Sequence, residues 1–493
     1  MEPLILAIDV GTSSCRTALF SKTGARLVET TAQQGYPLLT TSDGGAELEP
    51  AVLLRSVLEC LARTMSLARA DKKLRGRSVV AGGMSCFWHS LVGLDSKGVP
   101  LTNVITWADA RCRGNAATLR ELFSEKAVHQ RTGCMLRSSF WPAKLVWFKR
   151  RQPDVFKRVK RWVSPAEWLQ NELSGVLLNS TAMASGTGLF NPTKLDWDAA
   201  LLEHCELDVK QLSPVQDIPF KLSASFASEF PELARMEFLP GIGDGVASNL
   251  GSGCSQPGYA AINVGTSAAL RIMQAGKKAK APTGLFCYRA DSTRYLVGGA
   301  VSNAGNLREW CLKELNAGDP LALEDALSLR PGPDHGLTVL PFWTAERAPT
   351  WNEELCGSVV GITQATTGLD LFQAITEATY QRIAQIADVL VAYTGEAPKF
   401  LVSGGIQRSE AALQRLADIL NHPLYANPEP EASIRGAAVF AMEKLGIPVE
   451  PLPQTTPLHP RPEIAERYRE ARLAQTKLEQ MLKKHLPSVL SSD

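Results

Sequence analysis

Short apolar runs alternate along the chain with longer stretches in which apolar positions recur every three or four residues. "LILAIDV" (4–10), "CRTALF" (15–20) and "SVVAGGM" (78–84) read as buried strands. Pro50 to Ala70, with Val52, Leu53, Val57, Leu58, Leu61 and Met65 spaced for one face, reads as an amphipathic helix. The same texture returns in the second half, where "YAAINV" (259–264), "LRIM" (270–273) and "YLVGGA" (295–300) are strand-like and Leu371 to Tyr393 is a long helix. This alternation predicts an α/β protein of two similar halves. The Gly-rich stretch "GIGDGVASNLGSG" (241–253) is the natural joint and divides the chain into domains 1–248 and 249–493. The segment 462–486 places Ile464, Tyr468, Leu478 and Leu482 among many charges, as a helix packed on the surface would.

Composition narrows the function classes. A chain of 493 residues that is 45% hydrophobic can bury more than one core. With 52 basic against 50 acidic residues there is no global field to recruit nucleic acid or an anionic membrane. One local exception is "KLVWFKRRQPDVFKRVKRWV" (144–163), which interleaves Lys and Arg with aromatic residues. Its aromatics fall at helical spacings around Pro153, so it reads as two amphipathic helices with solvated basic faces, not as a nucleic-acid surface. Ten cysteines without any C-x-x-C suggest reduced thiols in a cytoplasmic protein. No apolar stretch has the length of a membrane span, and the N-terminal apolar run is too short for a signal peptide. The sequence is compatible with a homodimer and does not specify one.

The chemistry starts from a repeat. I-x-V-G-T-S occurs in "AIDVGTSSCRTALF" (7–20) and again in "AAINVGTSAALRIM" (260–273). A strand ending in Gly-Thr-Ser and followed by a second strand is a tight hairpin whose glycine, Gly11 or Gly265, lets backbone N–H groups approach a ligand. Thr12, Ser13 and Thr266 add hydroxyls, so each turn can hold phosphate oxygens. Asp9, at the end of the first strand, is positioned to hold Mg²⁺ through water. Asn263 replaces it in the second copy, where another carboxylate facing a triphosphate would only add repulsion. The Walker pattern is absent, and strand instead of helix follows each turn. Two such turns in two α/β halves predict lobes that clasp one nucleotide.

That arrangement resembles the actin-like ATPase (ribonuclease H-like) fold, with a cleft between two domains. Further segments resemble the FGGY family of carbohydrate kinases: "GGMSCFWHSLVGLD" (82–95), "TWADAR" (106–111), "WPAKLVW" (141–147), "GIGDGVASNLGSG", "GGAVSNAGNLREW" (298–310), "LPFWTAERAPTWNEELCGSVVGIT" (340–363), "SGGIQRS" (403–409) and "EASIRGAA" (431–438) follow in the family's order. The resemblance implies ATP and Mg²⁺ as cofactors and Asp244 as the base that accepts a proton from a substrate hydroxyl. It also implies a nucleotide site at Gly11, Thr12, Ser13, Gly265, Thr266, Gly305, Gly404, Gly405 and Ser409, and a sugar pocket at Trp88, His89, Trp107, Asp109 and Arg111. Asp244 opens a helix, where it could equally be a capping residue, and a helix N-terminus lowers a carboxylate pKa.

Within the family, "TWADAR", "ERAPTW" and "SGGIQRS" look most like the gluconate kinases, so the expected reaction converts D-gluconate to 6-phosphogluconate. Xylulose, another pentulose or a polyol is the alternative acceptor. Gluconate would need a cationic partner for its carboxylate, and His89, Arg111 and Arg137 are the candidates. An actin-like chaperone or filament ATPase would share the hairpins but has no use for "TWADAR" or "ERAPTW".

Overall fold

The computed structural model describes residues 2–278, 280–315 and 319–490. A first sheet contains β1 (Leu4–Val10), β2 (Ser14–Phe20), β3 (Ala32–Gly35), β4 (Val79–Cys86), β5 (Glu237–Phe238) and β6 (Ile242–Gly243). The strand order is β5-β4-β1-β2-β3, and β6 continues the β5 side of β4. A second sheet contains β7 (Tyr259–Val264), β8 (Ala268–Ala275), β9 (Phe286–Arg289), β10 (Arg294–Val301), β11 (Lys399–Ser403), β12 (Leu424–Ala426) and β13 (Pro457–Leu458). Its order is β9-β10-β8-β7-β11-β12-β13.

The two halves share one plan. In each, a central strand (β1 or β7) is antiparallel to its hairpin mate and parallel to a later strand (β4 or β11) on its other side. The hairpin mate is antiparallel to a third strand. Burial explains the sequence texture, since Leu4 to Ile8 and Ala260 to Ile262 are covered on both faces and therefore read as continuous apolar runs. α1 (Pro50–Ala70) buries Leu53, Val57, Leu61 and Met65 against β2 and β3. α2 (Asp244–Gly251) leads from β6 towards the second sheet, and the division at residue 248 falls inside it. α3 (Gly305–Glu314) follows β10, and α4 (Gly368–Thr394) packs on β8 and β10.

One element crosses between the halves. α5 (Ala432–Lys444), late in the chain, packs on β1 and β4 of the first sheet and across α2. Glycines permit the approach: a β-carbon on Gly83 would lie 2.1 Å from the Ala437 carbonyl oxygen, and one on Gly436 1.7 Å from that of Ala247. The largest apolar cluster accordingly runs through both sheets. A separate cluster containing Leu91, Trp141, Phe148, Trp162 and Leu201 fills an insertion between β4 and β5.

The basic segment around Pro153 forms helices Trp141–Arg151 and Pro153–Arg158. Trp162 departs from the helical reading: it lies in the short strand Arg161–Val163, paired to Val92–Leu94. The ten cysteines are unpaired and nine of them are buried. Among the described residues no helix is long and apolar enough to cross a membrane.

Candidate active site

Both hairpins form as the repeat predicts, with one difference. Val10 pairs with Cys15 across the first turn, whereas Val264 pairs with Ala268 across the second, so the second turn is one residue shorter. The Gly11 N–H donates to Ser14 O (2.8 Å) and the Gly265 N–H to Ser267 O (3.0 Å), closing the turns. The backbone N–H groups of Thr12, Ser13, Thr266 and Ser267 donate to no internal acceptor among the described residues. Four unpaired donors at two turns suit an anion with several oxygens.

Strand register brings the carboxylates together. Asp9 is level with Ser85 on β4, and Ser85 with Ile242 on β6, so Asp244 follows two residues beyond. Burial pushes the Asp9 carboxyl up to about 6, against the pull of Arg16 and with the help of Asp244 and Glu431. The Ser85 hydroxyl lies beside it, buried, near enough to hold the carboxyl down and engaged with no other group. A half-buried carboxylate beside a hydroxyl is a hard-oxygen set that fits Mg²⁺. In the second half Asn263 occupies the equivalent place and donates to Ser403 Oγ (3.1 Å), a neutral pair in place of the acid.

The N-cap of α2 is Gly243, so Asp244 is the first helical residue, and its Oδ1 accepts from the N–H of the next residue, Gly245 (2.9 Å). Burial raises its pKa despite Arg271 and Arg347 nearby, which overrides the lowering expected at a helix N-terminus. Trp88 explains why glycines flank it: β-carbons on Gly243, Gly245 and Gly186 would come within 1.8, 2.7 and 2.6 Å of the indole. The buried indole donates to Ala182 O (3.2 Å) and meets Tyr288 edge-on at 4.9 Å.

His89 adopts φ 63°, and its backbone carbonyl accepts from Lys144 Nζ (2.6 Å). Burial pushes the imidazole down to about 3, so it is neutral. Nδ1 lies 2.5 Å from Gly186 O and must carry the proton, which leaves Nε2 as an acceptor for a hydroxyl. Trp107 links two regions: its indole N–H donates to Thr12 Oγ1 (3.1 Å), and the Arg347 guanidinium lies 5.0 Å over its ring.

Asp109 and Arg111 are engaged elsewhere. Asp109 is 2% exposed and accepts from Ala46 N (3.0 Å) and from Arg111 Nη2 (2.6 Å). Arg111 also pairs with Glu47 and stacks 4.6 Å over Trp147. A sugar would have to displace internal partners to reach either residue.

On the nucleotide side, three glycines converge at the end of β7. The Gly305 N–H donates to Gly265 O (2.9 Å), the Asn306 N–H donates to Thr266 O (3.1 Å), and a β-carbon on Gly404 (φ 94°) would fall 2.5 Å from Val264 O. Gly405 starts the short turn Gly405–Arg408, whereas Ser409 caps the helix Glu410–Leu420 and donates to Glu324.

Sequence reasoning missed Arg271, Arg347 and Tyr288. A signal existed for Arg271, the one charged residue in the strand "AALRIMQA".

Over 465 residues the chain is 28% identical to a gluconokinase of Bacillus subtilis (strain 168), covering 90% of this chain and 88% of the relative. The crystal structure of gluconate kinase from Lactobacillus acidophilus superposes with TM-score 0.90 at 27% identity, covering 98% of both chains. A ligand-bound xylulose kinase from Lactobacillus acidophilus gives TM-score 0.91 at 26% identity over 99% of this chain and 100% of that one. Residues 4–251 match the N-terminal and residues 260–444 the C-terminal domain of one group of phosphotransferases, and the chain belongs to it: the FGGY family of carbohydrate kinases.

Proposed function

We propose that this enzyme transfers the terminal phosphoryl group of ATP to the terminal hydroxyl of a sugar acid, D-gluconate being converted to 6-phosphogluconate. The observation that carries the reading is Asp244, half-buried at the start of α2, with its pKa raised by burial and two guanidiniums beside it. Likeness to gluconokinases supports the acceptor. The similar xylulose kinase structure favours a ketose as second reading.

The unpaired N–H groups of the Thr12–Ser13 and Thr266–Ser267 turns would hold the phosphates. Asp9 would hold Mg²⁺, which when bound supplies charge neutralisation between phosphate oxygens. His89 Nε2 accepts a hydrogen bond from a sugar hydroxyl, and Asp244 receives the proton of the attacking one. A raised pKa improves Asp244 as a base, and phosphoryl transfer needs positioning more than basicity. Lobe closure keeps water from the phosphoryl group.

A coupled ADP-release assay with gluconate, xylulose, ribulose, glycerol and erythritol tests the assignment. Gluconate should give the highest kcat/KM, and Asp244→Asn should lower kcat by roughly 10²- to 10⁴-fold while leaving sugar binding nearly intact. A neutral sugar preferred tenfold would refute the acceptor, and wild-type-like kcat in the variant would refute the base.

A further inference from the structure

The five fully buried arginines among the described residues, Arg137, Arg289, Arg382, Arg415 and Arg435, each have three or more internal partners. A guanidinium taken out of water needs such acceptors, because an unpaired buried charge is expensive. Arg271 is different. It is half-buried on β8, level with Gly298 and Ala261, its guanidinium makes no hydrogen bond, and no carboxylate lies within ion-pair distance. Its Nε is shielded from solvent without a hydrogen-bond partner, as is Arg382 Nε, but Arg382 has ion pairs to Glu346 and Glu479 and Arg271 has none.

The surroundings point to what is missing. A β-carbon on Gly245, next to Asp244, would lie 3.0 Å from Arg271 Nε, so this side chain lies against the start of α2. Arg347 is near enough that the Arg271 guanidinium disfavours its charge. Arg347 is held by Ser302 Oγ (3.2 Å), Val301 O (3.2 Å) and the Trp107 ring. Lys144 stands behind His89. Glu346 and Asp244 both face Arg347, and Asp109 faces Lys144, whereas Arg271 meets the Asp244 carboxylate alone and without an ion-pair contact, so the unanswered positive charge is the Arg271 guanidinium. A neutral ketose or polyol has no charge to offer this excess, but a carboxylate does, and a guanidinium meets it with two parallel N–H groups.

The other cationic candidates do not serve: His89 is neutral, Arg111 is saturated by Asp109 and Glu47, and Arg137 by Glu125, Leu136 O and Trp351 O. Resting on the gluconate reading, we propose that Arg271, assisted by Arg347, receives the substrate carboxylate and is the residue that makes this kinase select a sugar acid over a neutral sugar.

The test compares wild type, Arg271→Met and Arg271→Lys with two acceptors that differ only in charge at one end, D-gluconate and D-glucitol. Arg271→Met should raise KM for gluconate about 100-fold with kcat changed less than tenfold, because truncating one member of a buried charge pair weakens binding by about that much. Its kcat/KM should fall far less with glucitol than with gluconate, circular dichroism reports that the variant is folded, and Arg271→Lys should recover part of the gluconate affinity. Titration calorimetry of gluconate onto each protein provides the same comparison without turnover. An equal fall of kcat for both acceptors, with KM unchanged, would mean that Arg271 acts on the transferring phosphoryl group and would overturn the proposal. Unchanged gluconate KM in Arg271→Met would overturn it while leaving gluconate as the substrate. A wild type that neither binds nor phosphorylates gluconate but turns over a neutral ketose would overturn both.

Discussion

Gly436 has no side chain that could touch substrate, yet replacing it with alanine should impair both stability and catalysis. A β-carbon there would lie 1.7 Å from Ala247 O and 2.4 Å from the carbonyl carbon, and this is backbone that cannot rotate away. Restoring ordinary contact near 3.5 Å forces α5 and α2 apart by roughly 1.5 Å or more. Alanine gains about 1 kcal/mol of helix propensity over glycine. Overpacking costs about 1–3 kcal/mol and occasionally more. The gap opened along Val246, Leu250 and Ile434 adds lost dispersion, so the net expectation is a loss of about 2 kcal/mol or more. Because α2 begins at Asp244, a 1 Å displacement of that helix should also lower kcat by about 10²-fold. Gly114 is the control: it lies within the helix Arg113–Leu122 with nothing inside 4 Å of its would-be β-carbon, so Gly114→Ala should stabilise by up to about 1 kcal/mol. Urea unfolding monitored by circular dichroism, with kcat from the ADP assay, checks both. Gly436→Ala as stable and active as wild type would refute the crossing argument.

Asp9→Asn, which makes the first hairpin match the second, should abolish the response of turnover to Mg²⁺; a retained Mg²⁺ titration curve in the ADP assay would count against Asp9 as the metal-holding residue. Trp107→Phe removes the N–H donated to Thr12 Oγ1 while keeping a ring under Arg347, so KM for ATP should rise roughly fivefold, the effect of one hydrogen bond of about 1 kcal/mol. Glu167 gives a pH signature: burial raises it from 4.5 to about 7, and one of its carboxylate oxygens has no partner. Since the folded pKa lies above the unfolded value, ionisation opposes folding, and stability falls as pH rises from about 4.5 to about 7 by about 3 kcal/mol. Glu167→Gln should therefore exceed wild type at pH 8 and equal it near pH 4, whereas parallel stability curves measured by urea unfolding would dismiss the assignment.

Those features that depend on local pattern were legible in the sequence. Fully covered strands appear as unbroken apolar runs, α1 appears as a stripe, and the two glycine turns sit where the repeated motif puts them. Features that depend on register and on the absence of a partner were not. Arg271 stands out because no hydrogen bond or ion-pair contact among the described residues holds its guanidinium, and no window of sequence shows what a side chain lacks. The converse holds for Asp109 and Arg111, whose polar types suggest ligands but whose folded neighbours, Glu47 and Ala46, lie some sixty residues earlier. The Trp88 indole likewise accounts for the glycines around Asp244 only after residues 186 and 243 are brought to it.

The return of α5 onto the first sheet sets a schedule for synthesis. All strands of that sheet have been synthesised once residue 243 is added, but the helix that covers β1 and β4 is complete only at residue 444. At about 5–20 residues per second, the roughly 200 intervening residues take about 10–40 s. For that interval the nascent chain holds an apolar sheet face with no native cover, and the N-terminal half has reason to engage a chaperone before the kinase exists.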